Sequence, residues 1–248
     1  MGGAIKSIEN RKNRKDTPKE NIYVWDLPTR LFHWTLVALV SSAWITSEYF
    51  EELGDPRLQW HRWNGFAVFT LLIWRGLWGV WGPPSARFKN FLKGPVTVYQ
   101  YSKDLLIGNP RQFQGHNPLG ALMIVALLVV LTSITFLGLF SSEENDLASG
   151  PLAYFVSEKL VKLATKWHGL FFDALLVGLV SIHIAANSLY GIIKKENLVK
   201  AMFSGKKPYA EYEDRDFSFQ EIDFTKRAII FFGLSLAIVF FVVCVIGK

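Results

Sequence analysis

Residues 166–184 read KWHGLFFDALLVGLVSIHI, a run that begins at Lys166 and ends at Ile184. It is apolar enough for a membrane-spanning helix, yet it carries His168, Asp173 and His183. The histidines are fifteen residues apart. On an α-helix that step is about 22 Å along the axis and about 60° in azimuth. One face of one helix would therefore present an imidazole near each side of a hydrocarbon layer about 30 Å thick. Ionisable groups in hydrocarbon are costly and tend to mark function. Two imidazoles so placed suit two redox centres, one near each surface.

The remaining 229 residues supply four more apolar runs. The 248-residue chain is 50% hydrophobic, with nine Trp and twenty Phe. Five segments are long enough to cross a bilayer: Leu31–Phe50, Arg62–Trp81, Pro118–Phe140, Trp167–Ile193 and Arg227–Ile246. A soluble protein with buried helices is excluded by the third and fifth, which hold about twenty residues each without a charge. The polar, basic N-terminus lacks the pattern of a cleaved secretory signal, so the first span is expected to be retained. Cys244 is the sole cysteine. That excludes an internal disulfide, covalent haem attachment through Cys-x-x-Cys-His and thiolate iron–sulfur clusters.

Net charge is +6, and its distribution points to membrane sidedness rather than to nucleic acid. Seven Lys and Arg precede Leu31, five lie between Arg87 and Arg111, and six run from Lys194 to Arg215. With five spans these segments all fall on one side. The positive-inside rule then places the N-terminus in the cytoplasm and the C-terminus outside. The chain divides into a polar, solvated tail (1–24), a four-span core (25–193), a polar cytoplasmic linker (194–225) and a fifth span (226–248). The fifth span is expected to pack outside the core bundle or to meet a partner.

Local signals refine the picture. Asp26 is placed to cap the first helix, with Pro28 in its first turn. Gly76, Gly79 and Gly82 recur every three residues, which suits close helix approach or a flat ligand against the backbone. Pro95–Leu106 reads as a surface amphipathic helix, and Pro151–Lys166 as an interfacial one.

All five histidines lie in or at the edge of spans. With alternating span direction, His33 shares the cytoplasmic level with His183, and His61 shares the outer level with His168. Two cross-helix bis-imidazole sites stacked through a helical bundle are what two b-type haems need. Imidazole also suits zinc, copper and nickel. A transition-metal pathway, however, usually adds carboxylate or thiol ligands. Asp173 is the one mid-span carboxylate and Cys244 is remote, while the surrounding Trp, Phe and Gly favour flat porphyrins.

Several motifs then match a family in order: VWDLPTRLFHW from Val24, Arg75-x-x-Trp-Gly-x-x-Gly with Ala86-Arg-Phe, GHNPLGA from Gly115, and the paired histidines of span four. Over about residues 22–205 the chain resembles the bacterial cytochrome b561 family, which includes the cytochrome b subunits of membrane-bound nickel–iron hydrogenases. The resemblance implies a four-helix di-haem transmembrane bundle, haem b ligands at His33, His61, His168 and His183, and electron exchange with the quinone pool. The fifth span departs from the family's four-span core.

Further candidates have a functional and a plain reading side by side. Arg75 and Arg62 suit a haem propionate or simple snorkelling at the interface. His116 and Asn117 suit a quinone carbonyl, or Asn117 a helix cap. Asp173 suits a ring-orienting or proton-relay role, or a buried hydrogen bond. The expected fold is thus all-α and integral to the membrane, a four-helix di-haem bundle plus one C-terminal helix. The expected function is electron transfer between quinone and a redox partner, a periplasmic cytochrome c or a hydrogenase-like enzyme. Two alternatives stay open: a self-contained quinone oxidoreductase acting on a small species such as superoxide, and a histidine-lined metal transporter.

Overall fold

The structure, a computed structural model, describes residues 21–55, 57–108, 111–143, 148–194, 197–208, 212 and 224–247. The sequence readings of residues 1–20 and of most of 209–223 lie outside these. Helices dominate: α1 (Leu27–Glu48), α2 (Gln59–Trp81), the short α3 (Phe88–Phe91), α4 (Pro95–Leu106) and α5 (Pro118–Gly138) come first. Then follow α6 (Glu158–Leu170), a π-helical turn (Phe171–Leu176), α7 (Val177–Lys194), α8 (Leu198–Ser204) and α9 (Thr225–Phe240).

Among the described residues, three helices are long and apolar enough to cross a membrane: α5, the continuous Glu158–Ile192 and Thr225–Ile246. Helices α1 and α2, at 22 and 23 residues, have the length of a span. Their mean hydropathy is lowered by Arg30, His33 and Trp34 in one and by Trp60, His61, Arg62 and Arg75 in the other. The segment read as a separate interfacial helix does not stay separate. From Glu158 it runs into the fourth span, because nothing between Glu158 and Trp167 breaks a helix.

Helix starts follow the sequence chemistry. Asp26 accepts from the Thr29 backbone N–H at 2.9 Å and from its hydroxyl at 2.8 Å. Asn117 caps α5 by accepting from Gly120 N–H at 2.8 Å, with Pro118 opening the helix. Amphipathic α4 keeps the expected bounds and buries Tyr101 against Phe113, ring centroids 5.7 Å apart.

Two apolar clusters hold the long helices together. In one, Val68 and Leu72 of α2 meet Leu131 and Ile134 of α5 and Leu176 of the π-turn, with Phe171 and Phe172 packed alongside. In the other, Phe32 of α1 packs with Leu71, Trp74 and Trp78 of α2, and Ala228 and Phe231 of α9 close it. Helix α9 docks on α2: Trp74 Nε1 donates to Ala228 O at 3.1 Å and Arg227 to Trp81 O at 2.8 Å. It thus adds to the outside of α2.

The tail does not read as solvated throughout. Asn21–Tyr23 (β1) pairs antiparallel with Lys206–Pro208 (β2), from the segment read as a linker. Val24 is buried beside Trp25 and Ala201 of α8. This small sheet ties the start of α1 to the chain beyond α7.

Candidate functional site

Between His168 and His183 the helix is not uniform. The π-helical turn inserts about one residue, which moves the histidines' relative azimuth by about 100°, from about 60° one way to about 40° the other. Both therefore stay on one side of the helix. Asp173 lies in that turn and is exposed. His168 takes its partner elsewhere, so Asp173 neither orients that ring nor sits in a buried hydrogen bond, contrary to two of its sequence readings.

His61, near the start of α2, and His168, near the end of α6, come together. Their ring centroids are 6.0 Å apart and their planes 81° to one another. Each Nδ1 meets a backbone carbonyl, His61 at Ala43 O (2.8 Å) and His168 at Ile134 O (2.9 Å). A carbonyl only accepts, so each Nδ1 carries the proton and each Nε2 keeps its lone pair. Helices α1 and α5 thereby fix the tautomer of rings borne on α2 and α6. Gly138 makes room, since a Cβ there would lie 3.1 Å from His168 Cε1. One turn along, Asn64 Nδ2 donates to Ser42 Oγ at 3.0 Å and binds α2 to α1. Arg62 keeps a buried Nε with no acceptor among the described residues.

The other end is arranged differently. His33 and His183 are near enough to act on each other electrostatically, but no ring contact joins them. The His33 ring lies edge-on to Trp34 at 4.9 Å, and its Nδ1 is buried with no partner among the described residues. His183 is half-buried, its ring approached by Asn187 Nδ2 of the same helix at 3.3 Å. His116 joins this end, its ring between Trp25 (5.6 Å) and Phe91 (5.1 Å). Burial pushes its pKa down to about 3, with the positive charge of Arg75, Lys207 and His183 adding to the effect. His116 therefore stays neutral at ordinary pH. The Asn117 side-chain carbonyl is occupied by the cap of α5.

Arg75 is 4% exposed, deep inside α2. The loop after α2 cradles it: one guanidinium nitrogen donates to Ala86 O at 3.2 Å, and the Phe88 ring lies 4.7 Å beneath. Gly79 is what admits Phe88, because a Cβ there would come 2.0 Å from the ring. Gly82 allows the chain to turn against Trp78. Gly76 by contrast faces open space, so the three-residue glycine recurrence serves separate ends rather than one flat surface. The other terminal nitrogen of Arg75 is buried without an acceptor among the described residues.

The sequence singles out none of Trp25, Arg30 and Lys207 as a site residue. Folding sets the Trp25 ring against His116 at 5.6 Å. Lys207 is 3% exposed with its ammonium 5.3 Å from the Trp25 ring, and Arg30 donates to Phe203 O of α8. The pairing that places Lys207 joins segments about 185 residues apart in the chain and leaves no local periodicity to read.

Among the described residues no three His, Cys, Asp or Glu side chains gather as a metal cage. The constellation is instead one of paired imidazoles at one end and imidazoles with buried cations at the other. No curated protein matches the chain. A family model described as prokaryotic cytochrome b561 matches residues 24–205, which hold all five histidines and Arg75. The chain belongs to the prokaryotic cytochrome b561 family, membrane cytochromes of electron transfer that bind haem b.

Proposed function

We propose that this chain is a five-span inner-membrane cytochrome with two b-type haems, one ligated by His61 and His168 and one by His33 and His183. In this reading α1, α2, α5 and the Glu158–Lys194 helix form the di-haem bundle, and α9 is the added span. The N-terminus is cytoplasmic and the C-terminus periplasmic.

The observation that carries it is the His61–His168 pair. Two rings that held a transition metal between them from opposite sides, each through a nitrogen at about 2 Å, would have centroids about 6 Å apart, and these lie 6.0 Å apart. Both Nε2 lone pairs are available because both Nδ1 protons are committed to carbonyls. Such N–H···O contacts orient a ligand ring and raise its basicity. At the other end, the buried Nδ1 of His33 and the unsatisfied Arg75 nitrogen fit a bound group with acceptor atoms.

A haem so held supplies one-electron exchange, while the protein supplies orientation and tuning of potential. The partners are quinone in the membrane and a redox protein, a periplasmic cytochrome c or a hydrogenase-like subunit. His116 sits at the His33 end with its ring enclosed by aromatics, where a neutral imidazole can donate to a quinone carbonyl. Asn117 offers only its amide N–H₂ for that purpose.

The test is a pyridine haemochrome assay on the purified full chain. Two haems per chain are expected. One haem or none, with zinc or copper bound tightly instead, would overturn the reading in favour of a metal site.

A further inference from the structure

Helix α4 is apolar on two faces. One is taken: Tyr101 is 1% exposed and packs on Phe113, five residues before α5 begins. The other is open. Val96, Tyr99 and Leu106 are 67%, 71% and 89% exposed, and Ile107 at the C-cap is 69% exposed. At about 100° per residue, Val96, Tyr99, Lys103 and Leu106 fall within about 80° of arc, and Tyr101 lies about 180° from its middle. A helix packed on protein and facing water would carry polar side chains on that outer arc. This one carries apolar and aromatic groups around a single lysine.

Position and charge say what covers it. Helix α4 packs directly against α5, so it stays within reach of the bilayer surface. From Arg87 to Arg111 the chain holds five Lys and Arg against one acid, Asp104, which pairs with Arg111 at 3.4 Å. Lys89 and Lys103 are exposed. Aliphatic residues, a tyrosine and exposed lysines together are the chemistry of a helix lying in the headgroup layer of an anionic membrane.

We propose that α4 is an in-plane membrane anchor for anionic phospholipid. Val96, Tyr99, Leu106 and Ile107 enter the headgroup layer, and Lys103 and Lys89 bind lipid phosphates. The Lys103 stem lies along the apolar arc and its ammonium reaches the phosphate level. That the leaflet is the cytoplasmic one rests on the topology proposed above; immersion of the face does not. Through Tyr101 on Phe113 the anchor holds the segment that leads to His116.

The test uses the full chain in nanodiscs, with Cys244→Ala as background so that each added cysteine is the sole one. Spin labels are attached to Val96→Cys, Tyr99→Cys and Leu106→Cys, and a size-exclusion profile and haem absorbance equal to the parent's show that each variant folds. Collisions with oxygen, which partitions into lipid, are compared with those of a water-soluble nickel chelate, and lipids labelled along the acyl chain calibrate depth. All three labels are expected within about 5–10 Å of the headgroup–acyl boundary. Adding phosphatidylglycerol to zwitterionic lipid should move the Leu106 label deeper, and Lys89→Gln combined with Lys103→Gln should abolish that shift. Labels in chelate-accessible water in both lipid mixtures would overturn the anchor and leave the face to a cytoplasmic protein. Immersed labels that neither phosphatidylglycerol nor the lysine variants move would overturn the phosphate contacts. Haem number does not enter the readout, so failure of the di-haem reading would leave this result standing.

Discussion

The two ends of the bundle reach their functional geometry by different routes. At the His61 end, two rings are preset by backbone carbonyls of neighbouring helices, 2.8 and 2.9 Å away. At the His33 end, several ring and side-chain nitrogens are buried without acceptors among the described residues, and the packing is aromatic and cationic. Both carbonyls lie within their helices and take the imidazole as a further donor, as at Ala43, whose oxygen also receives the Thr46 hydroxyl at 3.2 Å. The His33 end lacks that support and is bordered by the loop after α2 and by the β1–β2 pairing.

The largest effect that can break this contrast is loss of a haem. His61→Ala and His168→Ala should each empty the same site and leave about one haem per chain. His33→Ala and His183→Ala should empty the other. A bis-imidazole iron needs both rings at one depth, and crossed pairings would misfit by roughly 15–20 Å. Potentiometric titration of each variant shows which component disappears. Deletion of the same component by His33→Ala and His61→Ala would refute the two-level arrangement.

Much of this was readable before folding, and the failures have a common cause. The Asp26 and Asn117 caps, the bounds of α4 and the His61–His168 match depend on local periodicity and on alternating span direction. They survive intact. The placement of Lys207 and Arg30 does not depend on local pattern, since strand pairing between residue 22 and residue 207 is set by tertiary context. The roles of Gly79 and Gly138 were hidden for the same reason. A glycine in a sequence signals close approach, but only the fold says to what. The π-turn was invisible too, because the apolar run of residues 166–184 is equally compatible with an unbroken α-helix.

Those two glycines sharpen the comparison, with somewhat smaller effects. Gly138→Val places side-chain atoms against His168, whose Cε1 would already lie 3.1 Å from a Cβ. It should weaken haem retention at the His61 end only. Gly79→Ala drives a methyl into the Phe88 ring and dislodges the cradle of Arg75. It should disturb only the His33 component. Overpacking of this kind costs about 1–3 kcal/mol. Component-resolved spectra after detergent challenge distinguish the two, and equal damage to both components by either variant would show that the ends are not independent.

Smaller again is the cap of α1. Asp26→Ala removes an acceptor for Thr29 N–H and frees the Thr29 hydroxyl, which also receives Trp78 Nε1 at 3.1 Å. Loss of an N-cap costs about 0.5–2 kcal/mol. Thermal midpoints in detergent should fall for Asp26→Ala and recover in large part for Asp26→Asn, which keeps an accepting oxygen. No recovery would assign the effect to charge near Arg75 rather than to the cap.

The smallest effect at neutral pH belongs to His116, and it grows with acid. Its pKa is about 3 in the fold against 6.5 when exposed, through burial first and then the nearby Arg75, Lys207 and His183. The unfolded chain therefore binds the proton that the folded chain refuses. The stability this group contributes is fully present above about pH 6.5 and is lost as pH falls toward about 3. Glutamine keeps a polar side chain of similar length without that titration. Between about pH 7.5 and about pH 5, the thermal midpoint of wild type should fall more steeply than that of His116→Gln, with two haems bound in both. Parallel declines would mean that acid already protonates His116 in the folded protein, and the enclosed aromatic setting at the His33 end would have to be abandoned.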